Sequence, residues 1–314
     1  MDTITRGIMN RDTTVKDPAA GNARMKDILS VNTSAKYHSA HEATTAEDKM
    51  KNLIAYLRDL GHVAVAFSAG VDSTFLLKTA QEALGSQVIA ITGRFASSPK
   101  REDQEAVSLC RTWGIEQMVV DIDQISIPGF ADNPPDRCYL CKKALFTSFL
   151  AIARERGFLH LAEGSNADDV SDYRPGLRAI AELGVKSPLK DVGLTKQEIR
   201  YLSEKMGLPT WNKPALACLA TRLPYGERIT QEKLNAIDEA EQMLVDCGFS
   251  QVRVRMHGDL ARIEVSPSQF VKILDPNVLQ PVRQKLYALG FLYVTLDLDG
   301  YKTGSMNKTL EYQG

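Results

Sequence analysis

From residue 49 to about residue 210, short apolar runs alternate with amphipathic stretches. The first apolar run, Val63–Phe67, has the length and composition of a strand buried on both faces of a sheet. In the stretch that follows it, apolar residues recur at helical spacing. Strands that alternate with helices in this way are typical of an α/β domain, a parallel sheet with helices on both faces. The other strands are predicted at Gln87–Thr92, Gln117–Val120 and His160–Ala162, and the helices at Lys51–Leu60, Thr74–Ala83, Lys100–Trp113, Lys142–Arg156 and Leu194–Met206.

The segments on either side of this domain have different patterns. Residues 1–48 contain few large apolar residues and much Ser, Thr, Asp and Asn, so they are predicted to form a mobile extension. Prolines are frequent around residues 211–228, which are predicted to be a linker that carries active-site residues. Residues 229–314 are predicted to form a smaller α+β domain. Its helices are expected at Gln231–Cys247 and Val278–Leu289, and its strands at Gln251–Met256, Leu260–Val265 and Tyr293–Leu298.

Composition and charge narrow the class of protein. The chain has 314 residues, of which 44% are hydrophobic and 25% are charged, as in an ordinary globular protein. A net charge of −1 gives no sign of a nucleic-acid partner, and no apolar stretch is long enough to span a membrane. Five unevenly spaced cysteines indicate a reducing compartment rather than a disulfide framework. We expect a cytoplasmic protein that binds a small molecule and forms a homo-oligomer.

A turn of small and polar residues, SAGVDS, joins the first predicted strand to the helix after it. Backbone N–H groups at a helix N-terminus attract anions, so this turn is a candidate phosphate site. Gly70 permits close approach of the backbone, and the hydroxyls of Ser68, Ser73 and Thr74 can donate to phosphate oxygens. Asp72 can help to place Mg²⁺. No Gly-Lys-Ser/Thr follows, which excludes a Walker A loop, and an ordinary strand–helix turn is the alternative.

This turn resembles the SGGxDS signature of the PP-loop ATP pyrophosphatases. In that family the loop holds the β,γ-pyrophosphate that leaves when a substrate oxygen attacks the α-phosphate of ATP. Ala69 stands where glycine is usual, which is compatible with a backbone of negative φ. The residues that bind ATP by this resemblance are Ser68, Ala69, Gly70, Val71, Asp72, Ser73 and Thr74.

Four later stretches are similar to motifs of the LarE family of ATP-dependent sulfur transferases, which build the nickel-pincer nucleotide of lactate racemase. The resemblance runs from about residue 50 to the C-terminus. It implies that the enzyme adenylates a carboxylate of pyridinium-3,5-biscarboxylic acid mononucleotide. It also implies that a sulfide source then supplies sulfur for a thiocarboxylate, with release of AMP. The stretches are EGSNADDVSDYRPGLRA (163–179), WNKPALACLATRLPYG (211–226), VRVRMHGDLARIE (252–264) and YVTLDLDGYKTGSMN (293–307).

Polar residues after the strand at His160–Ala162 are candidates for ligand binding. Asn166 and Asp168 are predicted at the carboxyl end of the sheet, where open α/β sheets bind their ligands. Arg174 continues the same loop. An acidic helix cap and turn is the alternative explanation for the aspartate.

Arginines in the later motifs are candidates for anion binding. Thr221 and Arg222 match a Ser/Thr-Arg pair of the family, and an arginine there can clamp a phosphate or carboxylate with two hydrogen bonds. Arg253 and Arg255 alternate along one strand and therefore share a face. The resemblance ties them to a substrate phosphate, whereas a solvated strand face is the alternative.

Three cysteines are candidates for sulfur chemistry. In single-cysteine members of the family, a cysteine just before the Ser-Arg pair gives up its sulfur and becomes dehydroalanine. Here Ala217 stands at the matching position and Cys218 is next to it. Cys138 and Cys141 have CxxC spacing, which lets two thiolates bind one metal centre. Together with Cys218 they resemble three-cysteine members, so we predict a [4Fe-4S] cluster whose fourth iron carries sulfide.

Other functions remain open at this point. A zinc site, a redox disulfide or a lone reactive thiol at Cys218 would also explain the cysteines. A tRNA 2-thiolation enzyme combines a PP-loop with CxxC and a third cysteine, but it needs a basic surface. A nucleotide- or zinc-binding module without turnover is the third possibility.

Overall fold

The computed structural model describes residues 40–171, 175–214 and 217–302, which form two compact units. The N-terminal unit comprises the described residues of 40–94, 101–122 and 142–213, and the C-terminal unit those of 95–100, 123–141 and 214–302. The C-terminal unit therefore includes two short segments that the sequence analysis placed in the α/β domain. None of the described helices combines the length and apolar character needed to cross a membrane.

The N-terminal unit contains a four-stranded sheet in the order β3-β2-β1-β4. Strand β1 (Val63–Ala66) pairs in parallel with β2 (Val88–Phe95) on one side and with β4 (Leu161–Ala162) on the other. Strand β3 (Glu116–Ile122) lies beyond β2. The apolar runs of the sequence thus form the predicted parallel sheet.

Helices cover both faces of this sheet because alternate residues of its strands enter different cores. Val63 and Val65 belong to one core, which they share with α1, α2 and α7, whereas Ala64 belongs to a second core with α4. The predicted α/β architecture is therefore confirmed. The helices of this part of the chain are α1 (Ala40–Leu60), α2 (Val71–Leu84), α3 (Lys100–Trp113), α4 (Arg137–Glu155), α5 (Pro175–Glu182), α6 (Pro188–Asp191) and α7 (Lys196–Lys205).

Helix α1 begins at Ala40, so the predicted extension over residues 1–48 is wrong for residues 40–48. Ala46 is only 2% exposed in the core, and Glu47 forms an ion pair with Lys205 of α7 at 2.7 Å. The small side chain of an alanine allows this close packing without a large apolar residue, which is why the composition gave no signal. Residues 1–39 lie outside the described residues.

The C-terminal unit has a three-stranded sheet in the order β5-β6-β7, and helices pack on it around one core. Strands β5 and β6 form an antiparallel hairpin, and β7 pairs with β6 in parallel. The smaller α+β domain is therefore confirmed. Its regular elements are α8 (Gln231–Asp246), β5 (Val252–His257), β6 (Leu260–Val265), α9 (Phe270–Leu274), α10 (Pro276–Ala288) and β7 (Tyr293–Leu296).

Candidate active site

The loop between β1 and α2 presents hydroxyl and N–H groups at the start of a helix. Ser68 is exposed, and its hydroxyl lies 3.1 Å from that of Ser73. The first helical hydrogen bond runs from the Thr74 N–H to the Gly70 carbonyl, so the N–H groups before it have no partner within the helix. The Val71 side chain packs in the core, while its backbone forms part of the loop. Thr74 is fully buried, so its hydroxyl is not presented to solvent as that of Ser68 is.

The backbone of Ala69 is left-handed, with φ of 53°. The expectation of negative φ at this position was therefore wrong. A left-handed alanine costs roughly 1–2 kcal/mol relative to a right-handed one, which explains why glycine is usual there. Gly70 has φ of −78°, so the position that needs glycine-like freedom is 69 rather than 70. The Ala69 carbonyl accepts a hydrogen bond from Lys213 Nζ at 3.0 Å, which helps to hold this conformation.

Asp72 lies in the first turn of α2, and its two carboxylate oxygens differ in their hydrogen bonding. Its Oδ2 accepts a hydrogen bond from Lys196 Nζ at 2.6 Å. Its Oδ1 is buried and has no hydrogen-bond partner among the described residues. Burial raises the pKa of Asp72, and the negative charge of Asp169 adds to that shift, whereas Lys196 and the Asn166 side chain oppose it. A buried carboxylate oxygen without a donor fits an oxygen ligand of Mg²⁺.

The loop after β4 packs directly against the start of α2. A Cβ atom on Gly164 would lie 3.0 Å from the Ser73 backbone nitrogen, so a larger residue would press on the start of α2. Glu163 is buried and accepts hydrogen bonds from the hydroxyls of Ser165 at 2.8 Å and Ser187 at 2.6 Å. The sequence reasoning missed Glu163 and Gly164, although both stand in the EGSN motif that it quoted.

Asn166 and Asp168 shape this loop through hydrogen bonds to its backbone. Asn166 Oδ1 accepts from the Asp168 N–H at 2.9 Å, and the Asn166 N–H donates to Asp169 Oδ2 at 3.0 Å. Asp168 Oδ2 accepts from the backbone N–H of Lys196 at 2.8 Å. The contacts of Asp168 are those of an acidic cap and turn. Arg174, the other candidate of this loop, lies outside the described residues.

Arg222 is fully buried, and its hydrogen bonds go to the protein itself. Its Nε and Nη2 donate to the two carboxylate oxygens of Glu241 at 2.8 and 2.9 Å. Its Nη1 donates to the carbonyls of Ala217 at 2.7 Å and Cys218 at 3.2 Å, and to the Thr221 hydroxyl at 2.9 Å. The predicted clamp on a substrate anion is therefore not the role seen here. Arg222 instead holds the backbone carbonyls of two consecutive residues, Ala217 and Cys218, in place.

Charge pairing stabilises this buried cluster. Burial by itself would raise the pKa of Glu241, but the charge and hydrogen bonds of Arg222 outweigh it and hold that pKa low. Glu241 Oε1 also accepts the backbone N–H of Val254 at 3.0 Å, which ties α8 to β5. Burial and the nearby Arg222 charge lower the pKa of Arg253.

Arg253 and Arg255 share a face of β5, and both are buried rather than solvated. The Arg253 guanidinium lies 5.1 Å from the ring centroid of Tyr301. Arg255 forms a double hydrogen bond with Glu264 at 3.0 and 2.9 Å, and it also donates to the Thr221 carbonyl at 3.0 Å. The alternative of a solvated strand face is therefore excluded. Glu264 balances the charge of Arg255 inside the protein.

The three candidate cysteines lie in the C-terminal unit. Cys218 Sγ lies 2.9 Å from the buried Ser97 hydroxyl, and Cys141 Sγ accepts a hydrogen bond from Gln124 Nε2 at 3.0 Å. Cys138 is exposed in the first turn of α4. Over the described residues, no three His, Cys, Asp or Glu side chains form a group that could hold a metal ion. The described structure therefore does not show the ligand set of the predicted [4Fe-4S] cluster.

Comparison with known proteins gives close relatives along almost the whole chain. Pyridinium-3,5-bisthiocarboxylic acid mononucleotide synthase of Lactiplantibacillus plantarum is 38% identical over 267 residues, which are 85% of this chain and 96% of that protein. An uncharacterized protein of Synechocystis sp. is 40% identical over 264 residues, or 84% of this chain and 98% of that protein. GMP synthase (glutamine-hydrolyzing) of Aeropyrum pernix is 29% identical over 198 residues, covering 57% of this chain and 38% of that protein. No family model matches the chain.

Proposed function

The chain belongs to the family of pyridinium-3,5-bisthiocarboxylic acid mononucleotide synthases, and we propose that it is an ATP-dependent sulfur transferase acting on a carboxylate of the pyridinium mononucleotide. The observation that carries this proposal is the loop between β1 and α2. It combines an exposed Ser68, N–H groups at a helix N-terminus that have no partner within the helix, and a buried oxygen of Asp72 without a hydrogen-bond partner among the described residues. The synthase and GMP synthase relatives support an enzyme of the PP-loop class.

The first step of the proposed reaction is adenylation. A carboxylate oxygen of the substrate attacks the α-phosphorus of ATP, the bond to the β-phosphate oxygen breaks, and pyrophosphate leaves. In this proposal the N–H groups at the start of α2 and the hydroxyls of Ser68 and Ser73 bind the departing pyrophosphate. This step converts ATP into pyrophosphate and an acyl adenylate, and AMP leaves in the second step.

Asp72 is the residue of this loop that fits Mg²⁺. Its unpartnered Oδ1 would be a ligand, and the bound metal would offset negative charge on the phosphates. The hydroxyls of Ser68 and Ser73 and the N–H groups of the helix start would supply further phosphate contacts. A neutral Asn at position 72 would keep the shape of the side chain but remove its charge.

The second step transfers sulfur to the acyl adenylate. A sulfur nucleophile attacks the carbonyl carbon, the bond to the phosphate oxygen breaks, and AMP departs. When the nucleophile is sulfide, the product is a thiocarboxylate. We propose that sulfur is handled at Cys218, whose thiol hydrogen-bonds to Ser97 and whose carbonyl is fixed by Arg222. If Cys218 gives up its own sulfur, its thiolate forms a thioester with the substrate as AMP departs. Loss of the Cα proton then breaks the Cβ–S bond, which releases the thiocarboxylate and leaves dehydroalanine.

The [4Fe-4S] cluster stays a prediction from the sequence. Its ligands would be Cys138, Cys141 and Cys218, but these thiols are not collected into a metal-binding group in the described structure, and we derive no step through a cluster. Anaerobic purification followed by iron and sulfide analysis tests it. Bound iron lost in each of the three Cys→Ala variants supports the cluster, whereas dehydroalanine at position 218 in an active, iron-free protein excludes it.

Replacement of Asp72 tests the adenylation step. Asp72→Asn should lower substrate-dependent formation of AMP by at least about 100-fold, since a misplaced or uncompensated phosphate charge commonly costs that much. Asp121→Asn is the control, because Asp121 pairs with Arg94 where both side chains are about half exposed, at 52% and 50%. Equal rates for the two variants would contradict the proposed role of Asp72. A wild-type protein that binds ATP without turnover would be a binding module instead.

A further inference from the structure

Arg137 is a buried arginine that has no carboxylate partner among the described residues. It is the first residue of α4, and only 4% of it is exposed. Its Nη1 donates to Asn133 Oδ1 at 2.5 Å, whereas its Nε is buried and has no hydrogen-bond partner within the described part of the chain. Burial of a charge without a counter-charge destabilises a protein, and a bound anion would offset that cost.

The unpaired edge of this guanidinium is the edge that binds carboxylates elsewhere in the protein. In Arg94, Arg222 and Arg255, Nε and Nη2 donate to the two oxygens of a single carboxylate. Such double hydrogen bonds match the planar shape of a carboxylate. In Arg137 the bond to Asn133 uses Nη1, and neither Nε nor Nη2 bonds to a described residue. This edge is therefore open to a carboxylate that the described residues do not provide.

Two contacts hold the Arg137 guanidinium in position. Its central carbon lies 4.8 Å from the ring centroid of Tyr225. Asn133, which provides the second contact, is fully buried, and its Nδ2 donates to the Pro224 carbonyl at 2.7 Å. The Asn133 carbonyl in turn accepts the Gly226 N–H at 2.9 Å. The guanidinium is thus positioned before any ligand binds, which lowers the entropic cost of binding.

The position of Arg137 fits a substrate with more than one carboxylate. Arg137 belongs to the same compact unit as Cys218, at which we propose that sulfur is handled. Asn133 ties it to Pro224, in the linker that also carries Cys218. The proposed substrate has two carboxylates on one pyridinium ring, so one of them can react while the other is held. A carboxylate bound at so buried an arginine is shielded from water, which strengthens charge-assisted hydrogen bonds.

We infer that Arg137 is a substrate-binding residue whose Nε–Nη2 edge takes one carboxylate of the pyridinium mononucleotide while the other carboxylate is adenylated. This inference rests on the proposed function, from which it takes the substrate. It adds a residue that selects a dicarboxylate. Phosphate also binds arginine through two hydrogen bonds, so the experiment has to separate the carboxylates of the ligand from its phosphate.

The test measures the binding of two mononucleotides to the full-length protein by calorimetry, without ATP. One is pyridinium-3,5-biscarboxylic acid mononucleotide, and the other is an analogue with hydrogen in place of both carboxylates. Arg137→Gln should raise the Kd of the dicarboxylate at least about 10-fold, as expected for the loss of charge-assisted hydrogen bonds, and leave the Kd of the analogue unchanged. Arg137→Lys keeps the charge but cannot form the double hydrogen bond, so it should recover only part of the affinity.

The matched control is Arg228→Gln in the same compact unit. Arg228 pairs with Asp132, the residue before Asn133, at 3.3 Å, but the two side chains are 72% and 71% exposed. This variant should leave both Kd values unchanged, because an exposed arginine that already has a carboxylate partner offers no open edge to the ligand.

An unchanged Kd of the dicarboxylate in Arg137→Gln would overturn the inference. An equal rise of both Kd values would also overturn it, because Arg137 would then bind the phosphate that the two ligands share. Circular dichroism checks that the variant folds, and Arg137→Met is measured in the same way if it does not. Failure of the proposed function gives a different result: the wild type then binds neither mononucleotide, and the inference falls with it.

Discussion

Glu241→Gln should destabilise the protein because it leaves the Arg222 guanidinium buried without a counter-charge. Both side chains of this pair are buried, with Arg222 0% and Glu241 1% exposed. Removal of one partner of a buried ion pair costs about 3–5 kcal/mol. Gln keeps an oxygen for the Val254 N–H and for one guanidinium hydrogen bond, so we expect the lower end of that range. At roughly 2–4 °C per kcal/mol, the Tm should fall by at least about 6 °C.

The matched control is Glu239→Gln on the same helix, α8. Glu239 pairs with Lys285 at 2.9 Å, but the two side chains are 52% and 44% exposed, and such pairs contribute at most about 1 kcal/mol. Thermal unfolding is followed by circular dichroism for both variants and the wild type. If Glu241→Gln lowers the Tm no more than the control does, the reasoning about this buried pair is refuted.

The stability that the Arg222–Glu241 pair contributes should depend on pH in a definite direction. Arg222 holds the pKa of Glu241 below its ordinary value in the folded protein, against the opposing effect of burial. The ionised Glu241 therefore contributes stability above the ordinary glutamate pKa, and this contribution disappears as pH falls through the lowered pKa. The difference in Tm between the wild type and Glu241→Gln should accordingly narrow in acid. A difference that widens in acid would contradict the pairing.

Three further predictions concern other parts of the chain. Ala69→Gly should retain ATP cleavage and change the Tm little, because relief of left-handed strain offsets the loss of one buried methyl group, which contributes about 0.8 kcal/mol. Ala69→Val should lower both the rate of ATP cleavage and the Tm. Ser97→Ala should change the rate at which Cys218 is alkylated, measured by peptide mass spectrometry, while that of Cys247 stays constant. Deletion of residues 1–48 should lower the Tm, because it removes the first part of α1 and the buried Ala46; an unchanged Tm would contradict the packing of that helix.

Much of the fold follows from local patterns in the sequence. The apolar runs at Val63–Phe67 and Gln87–Thr92 became neighbouring parallel strands, since continuous burial on both faces leaves a clear signal. The capping box of α7 was visible because Thr195 and Glu198 stand three residues apart, and both hydrogen bonds of the box are present. The beginning of α1 was not visible, because alanine and polar residues are compatible with both a helix and an extension.

The site was harder to predict because its geometry depends on contacts between distant residues. Lys196 and Asp72 are 124 residues apart, and neither position shows that the other is its partner. The sequence suggested that Arg222 binds a ligand, since arginine is usually exposed. In the structure Arg222 is buried and forms an ion pair with Glu241 of α8. The φ angle of Ala69 is set by the surrounding loop against the preference of alanine itself.

Product analysis tests the central claim most directly. The purified protein is incubated with ATP, Mg²⁺, sulfide and pyridinium-3,5-biscarboxylic acid mononucleotide, and the phosphorus-containing products are identified by ³¹P NMR. The account predicts AMP and pyrophosphate in equal amounts, with their formation dependent on the mononucleotide. Formation of ADP and phosphate, or of AMP at the same rate without the mononucleotide, would contradict it.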